Sequence, residues 1–178
     1  MDNNSIIDRK TFEVYKHSED YPNAFIVDKP LAEVISILNK KGYKTLASCA
    51  GHSRITFDEF RNVDLKELEE AKKDDKIIIR KVRNDNFDYW REAEYTYMYI
   101  LFDREYSLGE LPKPFYYYID EGIDRTDIEC KIEFYDKNGE RKSQIDIMNE
   151  IDKNSEILKA WAENLPNRKK GNDIKWVK

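Results

Sequence analysis

The chain has 178 residues, of which 40% are hydrophobic, 13% are aromatic and 38% are charged. This length suits one domain of ordinary size, and the hydrophobic fraction is too high for a disordered chain. The formal net charge is −5 and the pI is about 5.3. Such an acidic balance argues against a broad phosphate-binding surface, so nucleic acid is not expected as a partner.

The sequence carries no signal for export or for a membrane. No apolar run is long enough to cross a bilayer, and no basic start is followed by a hydrophobic segment. We therefore expect a cytoplasmic protein. Its two cysteines are Cys49 and Cys130, and in a reducing compartment both should remain thiols.

The first third of the chain predicts two strands and a helix. Apolar residues alternate over 12–16 and cluster over 24–27, as they do in strands. A helix is predicted over 31–41, where apolar residues recur at steps of three and four. Asp28 is the expected N-cap of this helix, and Gly42 is the expected left-handed C-cap.

The middle of the chain predicts a strand, a loop and a strand. The strands are expected over 43–47 and 54–57, with the loop over 48–53 between them. An amphipathic helix is predicted over 64–73, with a charged exterior suited to pairs at i,i+4. A further strand is predicted at 77–79.

The remainder predicts more strands and a helical end. Asp85-Asn86 marks the turn of a hairpin. The segment 94–102 reads as a central strand with both faces covered, because tyrosines occupy one face and apolar residues the other. A strand is expected over 127–135, and one or two helices over 145–165.

These elements predict an α+β fold in a single domain, with a mixed or mainly antiparallel sheet and two to four packed helices. The domain is expected to span 1–166. Residues 167–178 are expected to form a basic C-terminal tail that is solvated.

One short segment differs in composition from its surroundings. Between two apolar strands the chain reads Ser48, Cys49, Ala50, Gly51, His52, Ser53 and Arg54. Small residues let a backbone approach something closely. The segment is therefore either a tight turn or an anion or nucleotide pocket, in which loop N–H groups, serine hydroxyls and a basic side chain hold a phosphate or carboxylate. Its walls would come from the tyrosines Tyr97, Tyr99 and Tyr117.

The same segment allows two chemical readings. Cys49 could be a thiolate nucleophile with His52 as its base, which would also require a third group that orients the base. Cys49, Cys130, His17 and His52 are also ligand types for zinc, but only the Cys49 to His52 spacing is short. No nucleotide-binding or hydrolase motif is present. We therefore assign no catalytic residue, no metal and no cofactor from the residues alone.

A set of residues between 38 and 57 resembles a known signature. The set is Leu38-Asn39, Tyr43, Thr45, Ser48-Cys49, Gly51 and Phe57. It resembles the Asn-x-Tyr-x-Thr-x-Ser-Cys-Ser-Gly-Arg pattern of the methyltransferase that acts late in wybutosine synthesis on phenylalanine tRNA. The resemblance implies an α/β domain, an active-site region at this segment and S-adenosylmethionine as cofactor. This chain has Ala50 and His52 where the family has serine and arginine.

The Ser-Cys-x-Gly-His loop and the later Tyr-Met-Tyr-Ile-Leu-Phe-Asp strand also resemble small uncharacterised proteins of low-GC Gram-positive bacteria and their phages. Three functions follow as hypotheses. The first is a small-ligand-binding domain with its site at Ser48 to Arg54. The second is a phage-type accessory or inhibitor protein that binds a host protein, through its acidic surface and exposed aromatics around Phe115 to Tyr118, or sequesters a nucleotide signal. The third is an S-adenosylmethionine-dependent RNA methyltransferase. A homo-oligomer is compatible with each.

Overall fold

The structure, a computed structural model, describes residues 4–15, 24–52, 57–63, 77–83, 86–119 and 124–168, with isolated positions 66, 69, 72, 73 and 122. Between 57 and 92 the strands are described by their backbone. The strands are β1 Asn4–Asp8, β2 Val14–Tyr15, β3 Ala24–Asp28, β4 Thr45–Cys49, β5 Phe57–Val63, β6 Ile77–Arg83, β7 Asn86–Glu92, β8 Tyr95–Phe102, β9 Tyr116–Tyr118 and β10 Asp127–Glu133. The helices are a 3-10 helix Lys29–Leu31, α1 Ala32–Lys40 and α2 Gln144–Asn164. Within the described part of the chain, no helix is long and apolar enough to cross a membrane.

The strands form three antiparallel sheets, ordered β2-β1-β3, β4-β8-β10-β9 and β5-β7-β6. Together with helices α1 and α2, they confirm the predicted α+β class and its mainly antiparallel pairing. The predicted hairpin is also confirmed, because β6 pairs with β7 and its closing pair is Arg83 with Asn86.

The core lies on one face of the four-stranded sheet. Side chains at alternate positions of β8 and β10 are fully buried there, as the pleat of a strand requires. They are Met98, Ile100, Phe102, Ile128, Cys130 and Ile132. Helix α2 packs on this face, where the side-chain amide of Asn154 contacts Cys130 Sγ at 3.4 Å. Helix α1 adds its own buried stripe and packs against α2.

The opposite face of β8 is more open than predicted. β8 is a central strand, as expected, with β4 on one side and β10 on the other. However, Tyr97 is 36% exposed, so the prediction that both faces are covered is wrong. The reason lies in its neighbours: Lys131 is paired with Tyr97 in the register, and this exposed lysine keeps that face in contact with water.

The first helix has nearly the predicted bounds but a different start. The 3-10 turn at Lys29–Leu31 leads into α1, and Gly42 has φ of +90° as predicted for a left-handed cap. Asp28 makes no side-chain capping hydrogen bond, so that prediction is wrong. Its carboxylate instead accepts a hydrogen bond from the N–H of Ala50.

The C-terminal segment forms one helix, α2, which starts at a capping box between Ser143 and Asp146. At the C-terminal end of α2, the Lys41 ammonium donates to the carbonyl oxygens of Glu163 and Leu165. The start of the predicted tail packs against the fold, because the N–H of Arg168 donates to the Lys41 carbonyl. Residues 169–178 of that tail lie outside the described residues.

In the remaining segments one strand was missed, one predicted strand is shorter, and one predicted helix lies outside the described residues. β1 was not predicted, because a single Ile6-Ile7 pair stands among polar residues, although Ile7 is fully buried. The strand expected over 12–16 is reduced to β2, and Phe12 adopts φ of +57° in the turn before it. The helix expected over 64–73 lies outside the described residues, apart from isolated positions.

Candidate functional site

The predicted site divides between a strand and a short loop. Ser48 and Cys49 belong to the end of β4, so their assignment to the loop is wrong. The described loop is Ala50 to His52. Ser53 and Arg54 lie outside the described residues, and their proposed contact with an anion stays a prediction.

The N–H groups of this loop have partners inside the protein. Ala50 donates to Asp28 Oδ2 at 2.7 Å, and His52 donates to Thr96 Oγ1 at 3.1 Å. The N–H of Gly51, between them, contacts Cys49 Sγ at 3.4 Å. An anion-binding nest needs successive N–H groups that converge on the ligand. These three point to three different protein groups, which favours the tight-turn interpretation for Ala50 to His52.

Gly51 also lies against a neighbouring strand. Its φ is +84°, a left-handed conformation in which other residues are strained. A Cβ at this position would lie 3.1 Å from Cγ2 of Thr96. The close approach that the small residues suggested is therefore an approach to β8.

The Cys49 thiol has the electrostatics of a weak nucleophile. Burial raises its pKa, the nearby Asp28 carboxylate raises it further, and the contact from the Gly51 N–H opposes this change in part. A thiol with a raised pKa is protonated at neutral pH, whereas a catalytic cysteine needs a lowered one. His52 is exposed, and its Nε2 lies 3.8 Å from Cys49 Sγ. This pair lacks the short contact that would activate sulfur.

The other residues of the zinc hypothesis do not come together in the structure. Cys130 is fully buried in the core, and burial raises its pKa to about 11. His17 lies outside the described residues. Among the residues whose positions are described, no cluster of three His, Cys, Asp or Glu side chains could hold a metal ion.

The three tyrosines named as pocket walls lie in different surroundings. Tyr99 is paired with Cys49 across β4 and β8; burial raises its pKa, and Cys49 and Asp28 add to the effect. The ring of Tyr97 packs edge-to-face on Tyr95, with centroids 5.2 Å apart. Tyr117 lies on β9, at the far edge of the sheet, and donates to the carbonyl of Gly109. The structure therefore brings Tyr99, but not Tyr117, to the end of β4.

A cavity of about 400 Å³ lies beside this loop, between β3 and β4. We call it the β3/β4 cleft. Its walls are residues 25–27 of β3 and 44–48 at β4, and α1 contributes Ile35 and Asn39. Residues Arg9 and Phe12, which follow β1, complete the lining. Of the predicted site residues, Ser48 lines this cavity.

Consecutive residues of β3 and of β4 line the two walls, which shows whether a face or an edge of each strand borders the cavity. A strand seen from its face contributes every second side chain, whereas a strand seen from its edge contributes neighbours. β3 pairs with β1 alone and β4 with β8 alone, within the part of the chain that the structure describes. The cleft therefore lies between two unpaired strand edges.

Two sets of hydrogen bonds shape the cleft. At one end the Asp28 carboxylate holds the N–H of Ala50, so the last residue of β3 lies beside the residue after β4. In α1 the Asn39 side chain donates to Thr45 Oγ1 and accepts from the Thr45 N–H. The Asp28 bond closes the cleft where β3 and β4 end, and the two Asn39 bonds fasten the start of β4, beside Lys44, to the helix.

The other end of the cleft is basic. The side chain of Arg9 donates through Nε to the carbonyl of Ala24, the first residue of β3. Lys44 immediately precedes β4, and its side chain is 68% exposed, although its ammonium also lies 3.7 Å from Asp103. The lining contains these two basic residues and no acidic residue. The charge of the lining is therefore positive, although acids outnumber bases in the chain as a whole.

Sequence reasoning missed this cleft, because edges of separate strands meet there only after folding. Ile26 and Leu46 lie within predicted strands yet are 69% and 58% exposed, one on each wall. Their exposure becomes visible only when the edges of β3 and β4 are known to be unpaired.

The aromatic surface predicted around residues 115–118 is present with one correction. Phe115 is buried at 6% exposure, because it belongs to the core. Tyr116, Tyr117 and Tyr118 are exposed on β9, which is an edge strand of the four-stranded sheet.

Comparisons with protein families, with curated protein sequences and with solved structures find no match to this chain.

Proposed function

We propose that the protein binds a small organic anion in the β3/β4 cleft. The observation that carries this proposal is a 400 Å³ cavity with apolar walls, two basic side chains and no acidic one. Ligand sites typically have volumes of about 300–1,000 Å³, apolar linings and a few polar groups that fix orientation.

The lining matches a ligand that has an apolar body and a negative group. Phe12, Phe25 and the exposed Leu46 supply apolar surface. Arg9 retains the N–H groups of its guanidinium beyond Nε, and a guanidinium can hold a carboxylate or phosphate through two parallel hydrogen bonds. The site proposed from sequence adjoins this cavity through Ser48, and a contribution from Ser53 and Arg54 is part of the proposal.

The test is ligand-induced thermal stabilisation. The panel contains nucleoside mono- and triphosphates, S-adenosylmethionine and short apolar carboxylates, each at rising concentration. A ligand at one hundred times its Kd should stabilise the fold by about 2.7 kcal/mol, because it binds the folded state. We expect stabilisation by at least one anion.

Variants locate the effect. Arg9→Gln with Lys44→Gln should abolish the stabilisation, because both cations leave the cleft. Lys137→Gln is the matched control: this lysine is exposed in the turn after β10 and does not line the cleft. The proposal is overturned if no anion in the panel stabilises the protein, or if the double variant responds like the control.

A second candidate function is assembly through β9. This strand ends a sheet, and its tyrosines are 41%, 41% and 49% exposed, followed by Ile119 at 83%. Edge strands without charges tend to pair with another chain. Sedimentation should show a concentration-dependent dimer that Tyr118→Lys abolishes and Lys137→Gln preserves, and a monomer at all concentrations would exclude it.

A further inference from the structure

We infer that the anion bound in the β3/β4 cleft is a short extended peptide with a free C-terminal carboxylate, which pairs with the edges of β3 and β4. This inference rests on the proposed function and names the class of ligand. It predicts that the peptide joins the sheets that end at these two strands.

The first step concerns the backbone of the two walls. Each unpaired edge presents a row of N–H and C=O groups, and such a row is a template for another strand. An extended peptide carries the complementary row on both of its sides, whereas a nucleotide does not. Both walls of the cleft are edges, so a peptide can use groups on both.

The second step gives the direction of the peptide. The end of β3 lies beside the residue after β4, because Asp28 accepts a hydrogen bond from Ala50. Both strands therefore run toward the closed end of the cleft and away from Arg9 and Lys44. A peptide whose carboxylate lies at the basic end runs antiparallel to both strands, which matches the pairing of every sheet described here.

The third step concerns side chains and length. Ile26 and Leu46 are exposed on the two walls, so apolar side chains of the peptide would bury them. The carboxylate would accept from the Arg9 guanidinium and the Lys44 ammonium. Each wall strand has five residues, but some Cα atoms of the two strands lie within 8 Å of each other. A strand between them requires a separation of about 9.5 Å, so the peptide pairs with both edges only where they are farther apart, over fewer than five residues.

The test uses isothermal calorimetry with one peptide in three forms. The peptide is acetyl-Thr-Val-Thr-Val-Leu with a free carboxylate. The second form has a C-terminal amide, and the third has N-methyl groups at alternate residues, which remove N–H donors. We expect the free carboxylate to bind at least about tenfold more tightly than the amide, a difference of about 1.4 kcal/mol. N-methylation should abolish binding, because it removes the N–H donors that pair with one of the two edges.

Protein variants test the assignment of the carboxylate. Arg9→Gln with Lys44→Gln should bind the acid and the amide equally, whereas Lys137→Gln should keep the preference for the acid. Equal binding of acid and amide by the unmodified protein would overturn the carboxylate assignment, and full binding of the N-methylated form would overturn the strand pairing.

The results distinguish failure of this inference from failure of the proposed function. Nucleotides or simple carboxylates that bind in the cleft while none of the peptides does would leave the proposed function standing and overturn this inference. Absence of binding by any anion or peptide would overturn both.

Discussion

The loop Ala50 to His52 and the β3/β4 cleft lie side by side but present their polar groups differently. In the loop, three successive N–H groups are directed to Asp28, Cys49 and Thr96. In the cleft, the edges of two strands have no partner strand among the described residues. The difference teaches that small residues mark where the chain packs closely, while the backbone groups that the proposed ligand would use lie where strand pairing stops.

The largest expected effect tests how tightly the loop packs. Gly51→Ala should destabilise the fold by about 2–3 kcal/mol, from left-handed strain together with the contact that the new Cβ makes with Thr96. Gly139→Ala is the matched control, since its φ is +78° and no atom lies within 4 Å of its added Cβ; it should cost about 1 kcal/mol. Urea denaturation measures both, and equal losses would contradict close packing of the loop.

The next effect concerns the hydrogen bond that joins the loop to β3. Asp28→Ala removes the acceptor of the Ala50 N–H and should cost about 2 kcal/mol of unfolding free energy. Asp28→Asn keeps an acceptor oxygen and should lose less than half as much. If the two variants unfold at the same urea concentration, this bond does not hold the closed end of the cleft.

A third effect concerns the protonation of Cys49. Its pKa is raised by burial and by Asp28, so iodoacetamide should modify it more slowly at pH 7 than an unstructured cysteine peptide. The rate should rise with pH through and beyond the ordinary thiol pKa. Mass spectrometry locates the modification, and buried Cys130 is an internal control that should stay unmodified. A rate at pH 7 above that of the peptide would indicate an activated thiolate instead.

The smallest effect separates His52 from this chemistry. The imidazole is exposed and lies 3.8 Å from the sulfur, too far for a strong interaction. His52→Ala should therefore change the alkylation rate of Cys49 by no more than about twofold. A loss of tenfold or more would restore the nucleophile and base reading of this pair.

The sequence by itself determined the elements whose signals are local. The stripe of α1 and the glycine that ends it, the alternation of β8 and β10 and the hairpin of β6 and β7 all depend on residues that are neighbours along the chain. The α+β class with antiparallel pairing follows from these elements. β1 was missed because its local signal is a single apolar pair.

Only the tertiary structure decided where Asp28 and Ser48 act. Asp28 precedes a helix and has the residue type of a cap. Its carboxylate instead accepts a hydrogen bond from the N–H of Ala50, 22 positions along the chain. Ser48 was predicted in a loop and instead lines a cavity at the end of a strand. The cleft depends on which strand edges stay unpaired, and this is fixed by long-range packing that no local pattern of residues encodes.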